Sequence, residues 1–135
     1  SIKELIFSSK IMNKEKKVII VEDEVSLSKA LQAALTEEDI KFITAYDGKA
    51  ALDMINSQKP DVILLDIMLP KMDGFSLLEI LKGQPETKDI PVIILSNLGQ
   101  EEDIEKGKQL GAVDYVVKAR IDLENLVAKV KKYLS

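Results

Sequence analysis

The chain of 135 residues contains neither cysteine nor histidine. Without cysteine there is no disulfide, no thiolate nucleophile and no zinc–thiolate site. Without histidine there is no imidazole base, no histidine metal ligand and no phosphohistidine, and a Ser-His-Asp triad is excluded. No apolar run approaches the ~20 residues of a membrane-spanning helix, and no signal-peptide pattern is readable. Neither sign of charge dominates: 19 Lys and Arg against 23 Asp and Glu leave a net −4, which speaks against nucleic acid as the direct partner. What is present is the mixture of an ordinary globular protein, 46% apolar and 31% charged. The length suits one domain with a respectable core. A cytoplasmic protein with no membrane contact is the expectation.

The chain is organised around Val62-Ile63-Leu64-Leu65-Asp66, four apolar residues running into a carboxylate. The turn formers Pro70 and Asp73-Gly74 follow. A short continuous apolar run bounded by turn signals reads as a strand buried on both faces. Four more strands are expected: Val18–Val21, Lys41–Tyr46, Ile90–Leu95 with Pro91 at its start, and Ala112–Val117. Helices fall between and after them. The first has apolar positions at Leu27, Ala30, Leu31, Ala34 and Leu35, a one-sided stripe, with Ser26 as its expected N-cap. Asp47-Gly48 turns the chain into a second, with Ala51, Leu52 and Ile55 inward. The third carries Phe75, Leu78 and Leu81 inward, and residues 83–89 form a polar loop. The fourth, about Glu101 to Leu110, has acid in its first turn, as the helix dipole favours. Its apolar stripe is thin (Ile104, Gly107, Leu110), so it is expected to be held loosely. The fifth shows Leu123, Leu126, Val127, Val130 and Leu134 on one face. Residues 1–16 read as a poorly ordered N-terminal extension before a domain at 17–135. Ile2, Leu5 and Ile6 could instead form a short docking helix.

Alternating strands and helices imply an α/β fold with a parallel sheet covered on both faces. Right-handed crossovers restrict it to a doubly wound, flavodoxin-like topology, and the buried character of the runs after Lys17 and Asp61 favours strand order 2-1-3-4-5. In that order the C-terminal ends of strands one, three, four and five share one crevice. Glu22-Asp23-Glu24, Asp66, Ser96 and Lys118 meet there. A carboxylate such as Asp66 can attack phosphorus and become an acyl phosphate. Crowded carboxylates can hold Mg²⁺, a hard cation that bridges to phosphate oxygens. Lys118 and Ser96 can supply a point charge and a hydrogen bond to phosphoryl oxygens.

The stretches Val21-Glu22-Asp23-Glu24, Leu65-Asp66-Ile67-Met68-Leu69-Pro70-Lys71-Met72-Asp73-Gly74, Leu95-Ser96 and Gly111-Ala112-Val113-Asp114-Tyr115-Val116-Val117-Lys118 resemble those of response-regulator receiver domains of two-component signalling, from about Lys17 to Leu134. The likeness is to the chemotaxis-type single-domain receiver. It implies that Asp66 takes a phosphoryl group from a histidine kinase or histidine phosphotransfer protein. It also implies that Asp23 and Asp66, with the Met68 carbonyl, bind Mg²⁺, and that Glu22 acts through metal-bound water. Ser96 and Lys118 would contact the phosphoryl group, and Ser96 and Tyr115 would form the switch. The fourth helix, fifth strand and fifth helix would form a mobile signalling face toward an unknown output protein. Three departures stand out. Ala119 follows the lysine, where a proline in a cis bond is usual, so either a trans bond or a strained cis one is expected. Asn97 replaces a small residue after the hydroxyl, where it would crowd the phosphoryl site or add a hydrogen bond. Met68 and Leu98 flank the site with apolar bulk, which implies slow self-dephosphorylation.

Other readings compete. One is a phosphorylation-independent docking module; another is a receiver excised from a longer transcription regulator. The chain stops one helix after the fifth strand, so no attached output domain is expected and binding would be the output. An Asp-nucleophile phosphatase needs a general acid two residues after its nucleophile, and that position is Met68. A flavin module would need a phosphate loop where three acids stand. The protein is therefore not expected to be an enzyme. A monomer, or a weak homodimer through the fourth-helix to fifth-helix face near Lys108, Asp114 and Arg120, is expected.

Overall fold

The computed structural model describes residues 1–4 and 15–135. The order and docking of residues 5–14, including Leu5 and Ile6, lie outside the described residues. The elements run β1 (Lys17–Val21), α1 (Val25–Glu37), β2 (Lys41–Ala45), α2 (Gly48–Gln58), β3 (Val62–Asp66), α3 (Gly74–Lys82), β4 (Val92–Ser96), α4 (Glu101–Gln109), β5 (Asp114–Val117) and α5 (Leu123–Leu134). A single 3₁₀ turn, Lys118–Arg120, joins β5 to α5. All strand pairs are parallel, in the order β2-β1-β3-β4-β5. The expected doubly wound, flavodoxin-like sheet is the one observed.

The period of two in a strand sorts the apolar runs between two cores. Ile19, Val21, Ile63, Leu65, Val92 and Ile94 pack with Ala51 and Ile55 of α2 and with Leu77, Leu78 and Leu81 of α3. Val18, Ile20, Val62, Leu64, Ile93 and Leu95 pack with Leu31 and Leu35 of α1 and with Leu126, Val127 and Val130 of α5. Every residue of β3 and β4 is buried. That is why these strands read as unbroken apolar runs rather than as alternation.

Several local expectations are corrected. Ser26 does not cap α1: Glu24 holds the N-cap position without a side-chain cap, and its carbonyl takes the Ser28 N–H. A carboxylate two residues nearer the strand places the first turn earlier than the Ser26 reading allowed. Asp47 does more than turn the chain; it caps α2, its Oδ1 accepting the Ala50 N–H at 2.8 Å. Asp73 caps α3 in the same way, accepting from Ser76 N–H at 3.1 Å. Leu77, not Phe75, completes the buried stripe of α3. Phe75 is half-buried, with the Lys106 ammonium 4.5 Å from its ring centre. Strand β4 starts at Val92, because Pro91 has no N–H to give and contributes only its carbonyl, to Ile63 N–H. Strand β5 starts at Asp114, after Gly111 has turned the chain at φ +107°. Residues 83–89 form turns held by buried Thr87, whose hydroxyl donates to the Leu81 carbonyl at 2.7 Å.

Candidate functional site

Strands β1 and β3 are neighbours in register, Val21 opposite Leu65. The residues that follow them, Glu22 and the terminal Asp66, therefore emerge side by side. Strand β4 sets Leu95 opposite Asp66, and β5 sets Val117 opposite Ser96. The carboxylates, the hydroxyl and Lys118 thus gather at one sheet edge. Carboxylate oxygens of Glu22, Asp23 and Asp66 lie within 4.8 Å of one another. Asp66 is 3% exposed and Glu22 fully buried, whereas Asp23 stands open to solvent.

Lys118 compensates this charge. It sits not at the end of β5 but at the start of the 3₁₀ turn, which carries its side chain back over the crevice. Its Nζ donates to Asp66 Oδ2 at 2.8 Å and lies 2.7 Å from Glu22 Oε1 and 3.9 Å from Glu24 Oε2. The Lys118–Ala119 bond is trans, as are all peptide bonds among the described residues. Burial alone would lower the lysine's pKa, but the Asp66 and Glu22 carboxylates outweigh it and hold it above its ordinary value. Glu22 shows the opposite balance. Burial pushes its carboxyl up to about 7, against the pull of Lys118 and of the Glu24 N–H, and the Asp66 charge adds to the rise.

Glu22 Oε1 is near the ammonium but off the line of a hydrogen bond, and is the buried side-chain atom without a hydrogen-bond partner among the described residues. Asp66 Oδ1 accepts the Met68 N–H at 3.1 Å, which folds the next loop over the carboxylate. The Met68 side chain is 60% exposed. An all-oxygen donor set carrying three carboxylates against one ammonium suits a small hard divalent cation. The acidic group fits such an ion.

Ser96 and Tyr115 are brought together through a residue that the sequence singled out only for its bulk. Ser96 Oγ accepts the Leu98 N–H at 3.1 Å, and Tyr115 OH donates to the Leu98 carbonyl at 2.6 Å. Ser96 is fully buried and Tyr115 nearly so, while Leu98 is half-buried and Asn97 is exposed. The backbone of Leu98 thus links hydroxyl to phenol, a role no side-chain pattern could signal.

Gly74 was legible only as a turn former. A Cβ there would lie 2.4 Å from the Asp66 carbonyl oxygen and 2.6 Å from Ile67 Cα, so the N-terminus of α3 packs directly on the Asp66 backbone. Its N–H donates to the Ile67 carbonyl at 2.7 Å.

Residues 18–131 match the family described as response regulator receiver domain. Among curated relatives, the probable transcriptional regulator ycf27 of Guillardia theta is 41% identical over 104 residues, covering 77% of this chain and 40% of that protein. The phosphate regulon transcriptional regulatory protein PhoB of Klebsiella pneumoniae is 35% identical over 116 residues, covering 86% of this chain and 50% of that protein. The chain therefore spans two fifths to one half of the length of these relatives. Among solved structures, the receiver domain of the Francisella response regulator 1452 superimposes with a TM-score of 0.83 at 35% identity, covering 88% of this chain and 96% of that one.

Proposed function

Since the chain belongs to the response regulator receiver domain family, we propose that it is a phosphoacceptor switch in which Asp66 takes a phosphoryl group from a histidine kinase or histidine phosphotransfer protein. The observation that carries this reading is the pairing of a buried, strand-terminal carboxylate with an ammonium at 2.8 Å beside two further carboxylates. An Asp66 carboxylate oxygen forms the bond to phosphorus as the donor's phosphorus–nitrogen bond breaks, and the imidazole leaves with the electron pair. No protein base is required, because a carboxylate oxygen attacks without giving up a proton. Lys118 holds Asp66 in place beforehand and then offers its charge to a phosphoryl oxygen. Glu22, Asp23, Asp66 and the Met68 carbonyl would hold Mg²⁺, with Glu22 acting through bound water. When bound, Mg²⁺ supplies the positive charge that lets an anionic phosphoryl group approach crowded carboxylates.

The Leu98 link supports a switch. A Ser96 hydroxyl turned toward the phosphoryl group gives up the Leu98 N–H, and the loop that holds Tyr115 OH is then free to move. Tyr115 and the α4–β5–α5 face would change together, and that face would bind the output protein. Met68 and Leu98, as apolar residues flanking the acceptor in sequence, support slow self-dephosphorylation. Residues 17–135 form the receiver unit in this reading, working in the cytoplasm without direct contact to nucleic acid or membrane, as a monomer or a weak homodimer. A second reading rests on the relatives, which are named transcriptional regulators and are longer than the match. The same switch would then control a longer regulator.

Intact mass after incubation with a small acyl-phosphate donor tests the proposal, with and without Mg²⁺, for the native chain and for Asp66→Asn. One added phosphoryl group that requires both Mg²⁺ and Asp66 is expected. No added mass under any condition overturns it in favour of a phosphorylation-independent docking module.

A further inference from the structure

The loop after Asp66 is held from two sides. On its inner side Gly74 lies against the Asp66 backbone, as described above. On its outer side it meets the turn between β2 and α2, which reaches across the end of β1. Gly48 N–H donates to the Pro70 carbonyl at 3.2 Å, and Met72 N–H donates to the same oxygen at 2.8 Å. A Cβ on Gly48 would fall 2.2 Å from the Met72 carbonyl oxygen and 2.8 Å from Met72 Cβ. No real Cβ tolerates a backbone oxygen at that distance, so any side chain here must push the loop away. Between these contacts Lys71 is held at φ +67°, and its ammonium lies 3.8 Å from Asp47 Oδ2. Asp47 is itself tied down as the cap of α2. The turn and the loop are therefore tied together by a backbone hydrogen bond, a close packing contact and an ion pair. That loop also carries Met68, whose N–H rests on Asp66 Oδ1.

We infer that Gly48 is a positioning residue for the cation site: its close backbone contact with residues 70–72 sets where the loop places the Met68 carbonyl relative to Asp66. This rests on the reading of the acidic cluster as a divalent-cation site, and extends it to an edge-strand turn with no ligand atom of its own. Groups that only orient ligands commonly change metal affinity by ~10–100-fold when altered. Gly48→Ala is therefore expected to weaken cation binding by about tenfold or more while the sheet stays intact.

The test is Mn²⁺ binding to the full chain, read from the loss of the free-ion electron paramagnetic resonance signal, with circular dichroism melts alongside. Native protein, Gly48→Ala and Gly83→Ala are compared. Gly83 is a control glycine outside the site, where a Cβ would meet nothing closer than the Glu79 carbonyl oxygen at 3.4 Å. The expected result is weakened binding in Gly48→Ala alone, with a cooperative melt retained. Native-like Mn²⁺ affinity in folded Gly48→Ala overturns the inference but leaves the cation site standing. No binding by the native chain overturns both. Should Gly48→Ala fail to fold, amide hydrogen exchange on the native chain decides. Mg²⁺ is expected to slow exchange at Gly48 together with Gly74, and an unchanged Gly48 rate overturns the inference.

Discussion

Asp23 stands in solvent beside two buried carboxylates. In the proposed cation site Asp23 would be the ligand at the mouth, where an ion arrives from solvent. Glu22, Asp23 and Asp66 are crowded together, and of the three only Glu22 and Asp66 pair with the Lys118 ammonium, so the Asp23 charge adds repulsion. Asp23→Asn removes one negative charge without changing shape. It is expected to raise stability in the absence of Mg²⁺ by up to about 1 kcal/mol, the scale of an exposed charge contact. It should also remove most of the stabilisation that Mg²⁺ confers on the native chain by mass action. Differential scanning calorimetry with and without Mg²⁺ reads both effects. A variant that melts below the native chain without Mg²⁺, or gains as much from Mg²⁺, contradicts the account. A ligand of that kind would strengthen the proposed site and weaken the fold, a common trade.

Helix α4 is the α-helix with the fewest buried residues. Gly107 is its only buried residue, and Ile104 is half-buried. The missing side chain is filled by its neighbours: a Cβ on Gly107 would lie 2.7 Å from Ile94 Cδ1 and 3.1 Å from Tyr115 Cδ2. The helix therefore rests directly on Tyr115, and the thin stripe legible in the sequence is the imprint of that ring. Gly107→Ala would gain about 1 kcal/mol of helix propensity. Overpacking against Ile94 and Tyr115 would cost about 1–3 kcal/mol. The cost is expected to win, with a net loss of up to about 2 kcal/mol in urea unfolding. A changed near-ultraviolet circular dichroism of tyrosine should accompany it as the ring is displaced. A stabilised variant with an unchanged tyrosine signal would show that α4 does not rest on Tyr115.

At the scale of the whole molecule one sheet separates two cores, and β3 is buried in both. Leu64 packs on the α1–α5 side and Leu65 on the α2–α3 side, each with at most 1% of its surface exposed. Leu64→Ala and Leu65→Ala are each expected to cost about 2–5 kcal/mol in equilibrium urea unfolding. A sheet solvated on one face would instead tolerate one of the pair. The strand order was legible because unbroken apolar runs such as Val62–Leu65 and Val92–Leu95 occur only where both faces are covered. The site was legible because Asp66, Glu22 and Asp23 sit at the ends of those runs, where the backbone direction alone carries them to one edge.

Composition and periodicity by themselves determined the α/β class, the strand order and the carboxylates at the sheet edge, since burial of apolar runs is a property of local pattern. They did not determine what those groups touch. The pairing of Lys118 with both Glu22 and Asp66, the Leu98 backbone joining Ser96 to Tyr115 and the seat of Gly48 against Met72 were decided only in the tertiary structure. Each depends on backbone atoms or on residues far apart in sequence, and neither leaves a periodic trace. The misread cap at Ser26 has the same origin. Where a helix begins was set by how the chain leaves β1, with the Glu24 carbonyl already committed to the Ser28 N–H, and a side chain suited to capping could not override that geometry.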